Sequence, residues 1–254
     1  MIHILKLAFS RRWWWSTLLM FLAVAVMIRL GIWQLDRLAA RRAENAHLLQ
    51  VQAEPLLDLN ALPGSDGLTG MEYRLATATG RFDYERQVAL QNQYWGLEDG
   101  PAEYGYHLLT PLLLDNGSAI LVDRGWIPGE DGQRSAWSRF DGAPEVRVIG
   151  MLRLSQSGAE MGGIDSPPAV AGEARDLWLY PDLAGIALQL PYPLLPVYLQ
   201  AEPPEGEQSL PYRALPVLEI SEGPHLGYAL QWFFYAGLVL CGYPAYLRKR
   251  SQEE

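Results

Sequence analysis

Residues 13–35, WWWSTLLMFLAVAVMIRLGIWQL, hold one charge, Arg29, in 23 positions. A helix rises about 1.5 Å per residue, so roughly 20 apolar residues cross a hydrocarbon layer of about 30 Å. Residues 225–247, HLGYALQWFFYAGLVLCGYPAYL, carry no formal charge with His225 neutral and are equally long. Both stretches place aromatics near their ends: Trp13, Trp14, Trp15 and Trp33 on the first, Tyr228, Trp232, Tyr243 and Tyr246 on the second. Tryptophan and tyrosine favour the headgroup region. Pro244 is expected to kink the second span. A cleaved signal peptide is the competing reading of the first, with Arg11 and Arg12 as its basic region and Ala23-Val24-Ala25 as its cleavage motif. The apolar run continues past Ala25 to Trp33, which favours a retained anchor. Arg29 lies six residues before the end of the span, within reach of the interface.

Working outward, the 254 residues are 49% hydrophobic and 19% charged, which excludes disorder over most of the chain. The mean hydropathy near zero averages greasy ends with a polar middle. One cysteine, Cys241, excludes an intrachain disulfide, a multi-cysteine zinc or iron–sulfur site and a two-cysteine copper site. The histidines, His3, His47, His107 and His225, stand in no metal-ligand spacing. A net charge of -9 makes nucleic acid an unsuitable partner. Residues 36–224 carry 13 arginines against 27 aspartates and glutamates. Arg248, Lys249 and Arg250 directly follow the second span, and the positive-inside rule then places both termini in the cytoplasm. Arg37, Arg41 and Arg42 after the first span argue the other way, and the second span decides. The N-terminal tail is too short and too poor in arginine and serine for a mitochondrial transit peptide plus span, so a bacterial plasma (inner) membrane is expected.

The expected architecture is an α+β membrane protein. Two transmembrane helices flank an exported, mainly antiparallel β domain, a small sheet or barrel with one or two helices. The order is a cytoplasmic tail (1–12), first span (13–35), extracytoplasmic domain (36–224), second span (225–247) and cytoplasmic tail (248–254). Residues 36–50 lack Gly and Pro and continue the first helix. Strands are expected at 73–82, 87–91, 106–114, 119–127, 146–154, 197–200 and 216–220. Asp115-Asn116-Gly117 between the third and fourth is the best local hairpin signal. Residues 181–190 read as one helix, and 129–144 and 201–210 as exposed polar loops.

Chemistry-bearing motifs are sparse. There is no G-x-S-x-G, no H-E-x-x-H, no Cys with a nearby His and no phosphate-binding glycine loop. An exported hydrolase is therefore disfavoured, and the chain is not expected to be an enzyme. Asp123-Arg124, beside Gly125 and Trp126, reads first as a structural ion pair next to a packed tryptophan and second as an interaction surface. His225 opens the second span, and Tyr228, Leu230 or Gln231, and Trp232 follow at helical spacing. An imidazole there either anchors the helix at the interface or ligates a haem iron. Cys241 lies deep in the span, where packing is its expected role.

Five segments resemble one family. They are Leu30-Gly31-Ile32-Trp33-Gln34-Leu35-Asp36-Arg37; Glu72-Tyr73-Arg74 with Gly80-Arg81-Phe82; Gly105-Tyr106-His107-Leu108-Leu109-Thr110-Pro111-Leu112; Leu121-Val122-Asp123-Arg124-Gly125-Trp126-Ile127-Pro128; and His225-Leu226-Gly227-Tyr228-Ala229-Leu230-Gln231-Trp232-Phe233. In order and between two spans, they resemble the surfeit locus protein 1 family of assembly factors for haem-copper cytochrome c oxidase. The resemblance implies a role in installing haem a in oxidase subunit I. It implies His225 as the haem-iron ligand, with Tyr228 and Trp232 as accompanying aromatics. It points to Arg124, Gly125, Trp126, Trp33 and Arg37 as interaction residues. Haem a synthase and the lipid bilayer are further expected partners. The chain departs from the pattern in Asp123, where Asn is usual, and in Ser221-Glu222-Gly223-Pro224, where Asn often precedes the histidine. It also departs in Gln231, in a place usually held by Thr, and in Arg41-Arg42, near a common Trp-Lys pair. The competing function is a membrane-anchored scaffold that stabilises subunit I without touching haem.

Overall fold

The computed structural model describes residues 7–62, 64–96, 101–158, 169–170, 173–206, 209–250 and 252. They form two units, Met1–Leu49 with Leu218–Glu254, and Gln50–Val217.

The first unit holds two helices long and apolar enough to cross a membrane, α1 (Trp14–Ala53) and, at the far end of the chain, α3 (His225–Arg250). Helix α1 runs without a break through residues 36–50, as the absence of Gly and Pro there predicts. Its 40 residues reach roughly 60 Å at 1.5 Å each, well beyond a hydrocarbon layer. Residues 17, 20, 24, 27, 31 and 34 recur every three or four positions, a single stripe along the helix. Met20 and Val24 are buried on this stripe against Ala236, with Met27, Val239 and Tyr243 around them. The Tyr243 hydroxyl lies 2.8 Å from Ser16 Oγ and 2.7 Å from Thr17 Oγ1. These contacts join two distant sequence segments by satisfying hydroxyls that lipid cannot satisfy. A Cβ on Gly31 would stand 2.6 Å from the Phe233 ring, so glycine is what lets the helices close there. Pro244 lies inside α3, which continues through it.

The second unit is built of eight strands: β1 (Leu57–Asp58), β2 (Leu75–Phe82), β3 (Val88–Trp95), β4 (Glu103–Leu113), β5 (Ala119–Pro128), β6 (Glu145–Leu154), β7 (Leu177–Trp178) and β8 (Leu194–Ala201), with the short helix α2 (Leu183–Ala187) between β7 and β8. The strand order is β1-β2-β6-β8-β5-β4-β3-β7, and β2 also pairs with β4. Strands β2, β6, β8, β5 and β4 therefore close into a five-stranded barrel, with β3 and β7 extending from β4 and β1 from β2. Pairing is antiparallel except for β1–β2, β3–β7 and β5–β8. The interior is filled by alternate residues: Ala76 and Ala78 of β2, Leu112 of β4, Ile120 and Val122 of β5, Leu152 of β6, and Val197, Leu199 and Ala201 of β8. This period of two is what a sheet with one face on a core requires. On the outside, α2 and Trp178 cover Leu109, Leu121 and Tyr198. Leu108 and Ile127 pack instead under Trp137 and Phe140.

Three local expectations are corrected, and the hairpin stands where it was expected. Residues 216–220 form no strand; β8 meets β5 and β6 directly, leaving no ladder position there. The expected helix over 181–190 is an α-helix only over Leu183–Ala187, begun by Asp182, whose side chain accepts from Gly185 N. Residues 129–144 are not an exposed loop: 3-10 turns bury Trp137, Phe140 and Asp131. The β4–β5 hairpin turns at Asn116-Gly117, with Gly117 at φ 83° and its N–H donating to Leu114 O at 3.1 Å. Only the glycine adopts positive φ, and Asp115-Asn116-Gly117 form the three-residue loop of the expected hairpin. Residues 207 and 208, within the other expected loop, lie outside the described residues.

Candidate functional site

The residues singled out by sequence fall in both units. In the helical unit, His225 is half-buried at the first position of α3. Its Nδ1 lies 2.8 Å from Gln34 Oε1 on α1. With the amide oxygen as acceptor, Nδ1 is the donor, and in that neutral tautomer Nε2 keeps its lone pair. Gly223 takes φ 67°, and a Cβ there would come within 3.4 Å of His225 Cδ2 and 3.5 Å of Nε2. The positive φ, rather than lack of room, is what favours glycine there. The segment entering α3 is tied down nearby: Arg42 donates two hydrogen bonds to the Glu222 carboxylate, each 2.8 Å, and Arg41 Nε donates to Ser221 O at 3.3 Å. Pairing with Glu222 raises the Arg42 guanidinium pKa and lowers that of the Glu222 carboxyl.

Tyr228 and Trp232 stand three and seven residues after His225, on the same side of α3. Tyr228 is exposed, and Trp232 is half-buried with its ring edge-on to Tyr235. Trp33 and Arg37 are exposed on α1, the Arg37 guanidinium 5.8 Å above the Trp33 ring. Gln34 lies within the quoted Leu30–Arg37 segment, but its part in the site was missed. Its signal is being the one uncharged polar side chain in that segment, directly after Trp33.

In the β unit, Arg124 and Trp126 are 5% and 1% exposed, so neither offers an open side chain to a partner. Nor is Asp123-Arg124 an ion pair. Between His107↔Trp126 and Leu109↔Asp123, β5 holds two residues where β4 holds one, a bulge at Arg124-Gly125. Gly125 takes φ 117°, and a Cβ on it would meet Tyr212 O at 2.4 Å. Successive strand residues face opposite sides, so the two charges meet different partners. Asp123 Oδ2 faces His107 Nδ1 at 2.8 Å, while its Oδ1 accepts from Gly125 N. Arg124 donates to Phe140 O and to Gln87 Oε1 and lies 4.9 Å above the Tyr84 ring. Burial lowers the His107 pKa, but the Asp123 charge and hydrogen bond outweigh it, and the net shift is upward. The charge that Asp123 brings in place of the usual Asn is thus matched to a histidine. Trp126 stacks on Tyr212 at 5° between planes, and the two backbones exchange hydrogen bonds of 2.7 and 2.8 Å.

Comparison with known proteins bears on both halves. The sequence profile of the SURF1 family matches residues 21–237. Surfeit locus protein 1 of Arabidopsis thaliana is 26% identical over 94% of this chain and 78% of its own length. A SURF1-like protein of Rickettsia conorii is 26% identical over 92% of each chain. An uncharacterized SURF1-like protein of Mycobacterium bovis is 27% identical over 98% of this chain and 90% of its own. The matched residues run from inside α1 to inside α3, taking in Gln34, the whole barrel and His225, and on that breadth the chain belongs to the SURF1 family.

Proposed function

We propose that this chain is a membrane-anchored assembly factor for haem-copper cytochrome oxidase that carries haem a towards subunit I, handing on its cargo rather than transforming it. Family membership supports the assembly role. The observation that carries the haem reading is the setting of His225: its Nδ1 lies 2.8 Å from Gln34 Oε1, and its Nε2 faces away from that contact, towards Gly223. A neutral imidazole nitrogen is an ordinary protein donor to haem iron, so the donor chemistry fits the group. When bound, haem a supplies an iron that accepts this nitrogen and a large apolar ring that favours the membrane interface. Tyr228 and Trp232 add aromatic surface on the same side of α3. A single protein ligand holds cargo firmly enough to carry and loosely enough to release.

Orientation follows from charge. The basic end of α3 stays in the cytoplasm of a bacterial cell and the acidic β domain lies outside. Haem a synthase is then the donor and nascent subunit I the acceptor, both within the same bilayer. The burial of Arg124 and Trp126 leaves the scaffold alternative to rest on other surfaces, the exposed Trp33 and Arg37 among them.

The test is an absorption spectrum of the protein made in a host that produces haem a and purified in mild detergent, beside His225→Ala. Wild type is expected to co-purify with haem a and the variant to lose it at unchanged thermal midpoint. Haem retained by the variant would move the ligand elsewhere, with His107 next. A colourless wild type would overturn the carrier reading in favour of the scaffold.

A further inference from the structure

We infer that Gln34 is the positioning residue for His225: its amide oxygen holds Nδ1 and selects the tautomer that presents Nε2. This deepens the haem reading above and rests on it.

Gln34 belongs to the α1 stripe that faces α3, one turn beyond Gly31. At Gly31 the absent Cβ lets the Phe233 ring approach, and the close crossing brings the residue at 34 within reach of the first residue of α3. The hydrogen bond that results, 2.8 Å, joins side chains 191 positions apart in sequence. It is held from a second direction, because Arg41 and Arg42, two turns further along α1, grip Ser221 and Glu222 just ahead of the histidine. An interfacial histidine without such an acceptor populates both neutral tautomers, and only one of them offers Nε2. The amide acceptor removes the other. A hydrogen bond at the distal ring nitrogen also raises the donor strength of a ligating imidazole, and loss of such a partner typically weakens metal binding by about 10- to 100-fold.

The experiment uses the full chain in lipid nanodiscs, labelled with ¹⁵N-histidine, as wild type, Gln34→Leu and Gln34→Glu. The His225 signals are identified by their loss in His225→Ala. Without haem, wild type is expected to show a protonated Nδ1 and a bare Nε2, Gln34→Leu a mixture, and Gln34→Glu a return to the wild-type pattern. With haem a added, Gln34→Leu is expected to bind about 10- to 100-fold more weakly. Gln34→Glu is expected to bind as wild type does but with a lower reduction potential, since a carboxylate partner favours the ferric iron. A merely structural hydrogen bond would lower the thermal midpoint of Gln34→Leu while leaving tautomer and potential where they were, and that result overturns the inference. So does a wild type with its proton on Nε2. A wild type with the expected tautomer that takes up no haem a overturns the ligand role itself, and is told apart by that combination.

Discussion

Asp123 and Arg124 are neighbours in the chain, yet each charge is answered by a different part of the fold. Asp123 faces His107, and the upward shift of the His107 pKa is a statement about stability. A group whose folded pKa lies above its ordinary value of 6.5 contributes fully below that value. The contribution fades as pH rises through the folded pKa. The β domain is therefore expected to lose thermal stability as pH rises from 6.5, and Asp123→Asn is expected to flatten that slope. Parallel midpoint-against-pH curves for the two proteins would refute the coupling. Trp126, 1% exposed and stacked on Tyr212, is a different case. Its truncation to alanine leaves a cavity against a rigid ring, at a cost of about 3 kcal/mol or more. Denaturant unfolding of the detergent-solubilised protein measures it, and a near-normal value would mean that the stack contributes little.

At the scale of elements, the two long helices meet along a stripe whose tightest point is Gly31 against Phe233. Phenylalanine is not a flexible chain end, so Gly31→Leu cannot be absorbed locally and must push the helices apart. In a Cys241→Ser background, disulfide cross-linking between Val24→Cys and Ala236→Cys is expected to fall several-fold when Gly31→Leu is added. An unchanged yield would show that the ring rotates out of the way. This seam also marks the limit of what the sequence makes legible. The apolar runs, the helical continuation through 36–50 and six of the seven expected strands are local patterns, and they stand where alternation and length place them. Asp123 and Arg124 look paired only because they are adjacent, and strand alternation turns them to opposite faces. Residues 129–144 look polar because Trp137 and Phe140 are scattered among charged residues, and only tertiary contact buries them. Gln34 and His225 are 191 positions apart, and no periodicity within either helix points to the other.

For the molecule as a whole, the order of the strands in the ring differs from their order in the chain. Strand β8, the last to appear, sits between β6 and β5, so both present open edges until it arrives. A chain ending before Leu194 is expected to aggregate rather than to form a smaller domain, because exposed strand edges recruit other strands. A soluble, cooperatively unfolding fragment would count against that. The consequence concerns timing during synthesis. The segment that seals the ring leaves the ribosome only shortly before His225 and the helix that carries it, so the barrel cannot be finished long before that apolar helix is made. A chain that ends between Ala201 and His225 holds every strand of the ring but not α3, whereas one that ends a few residues before Ala201 leaves β5 and β6 with open edges.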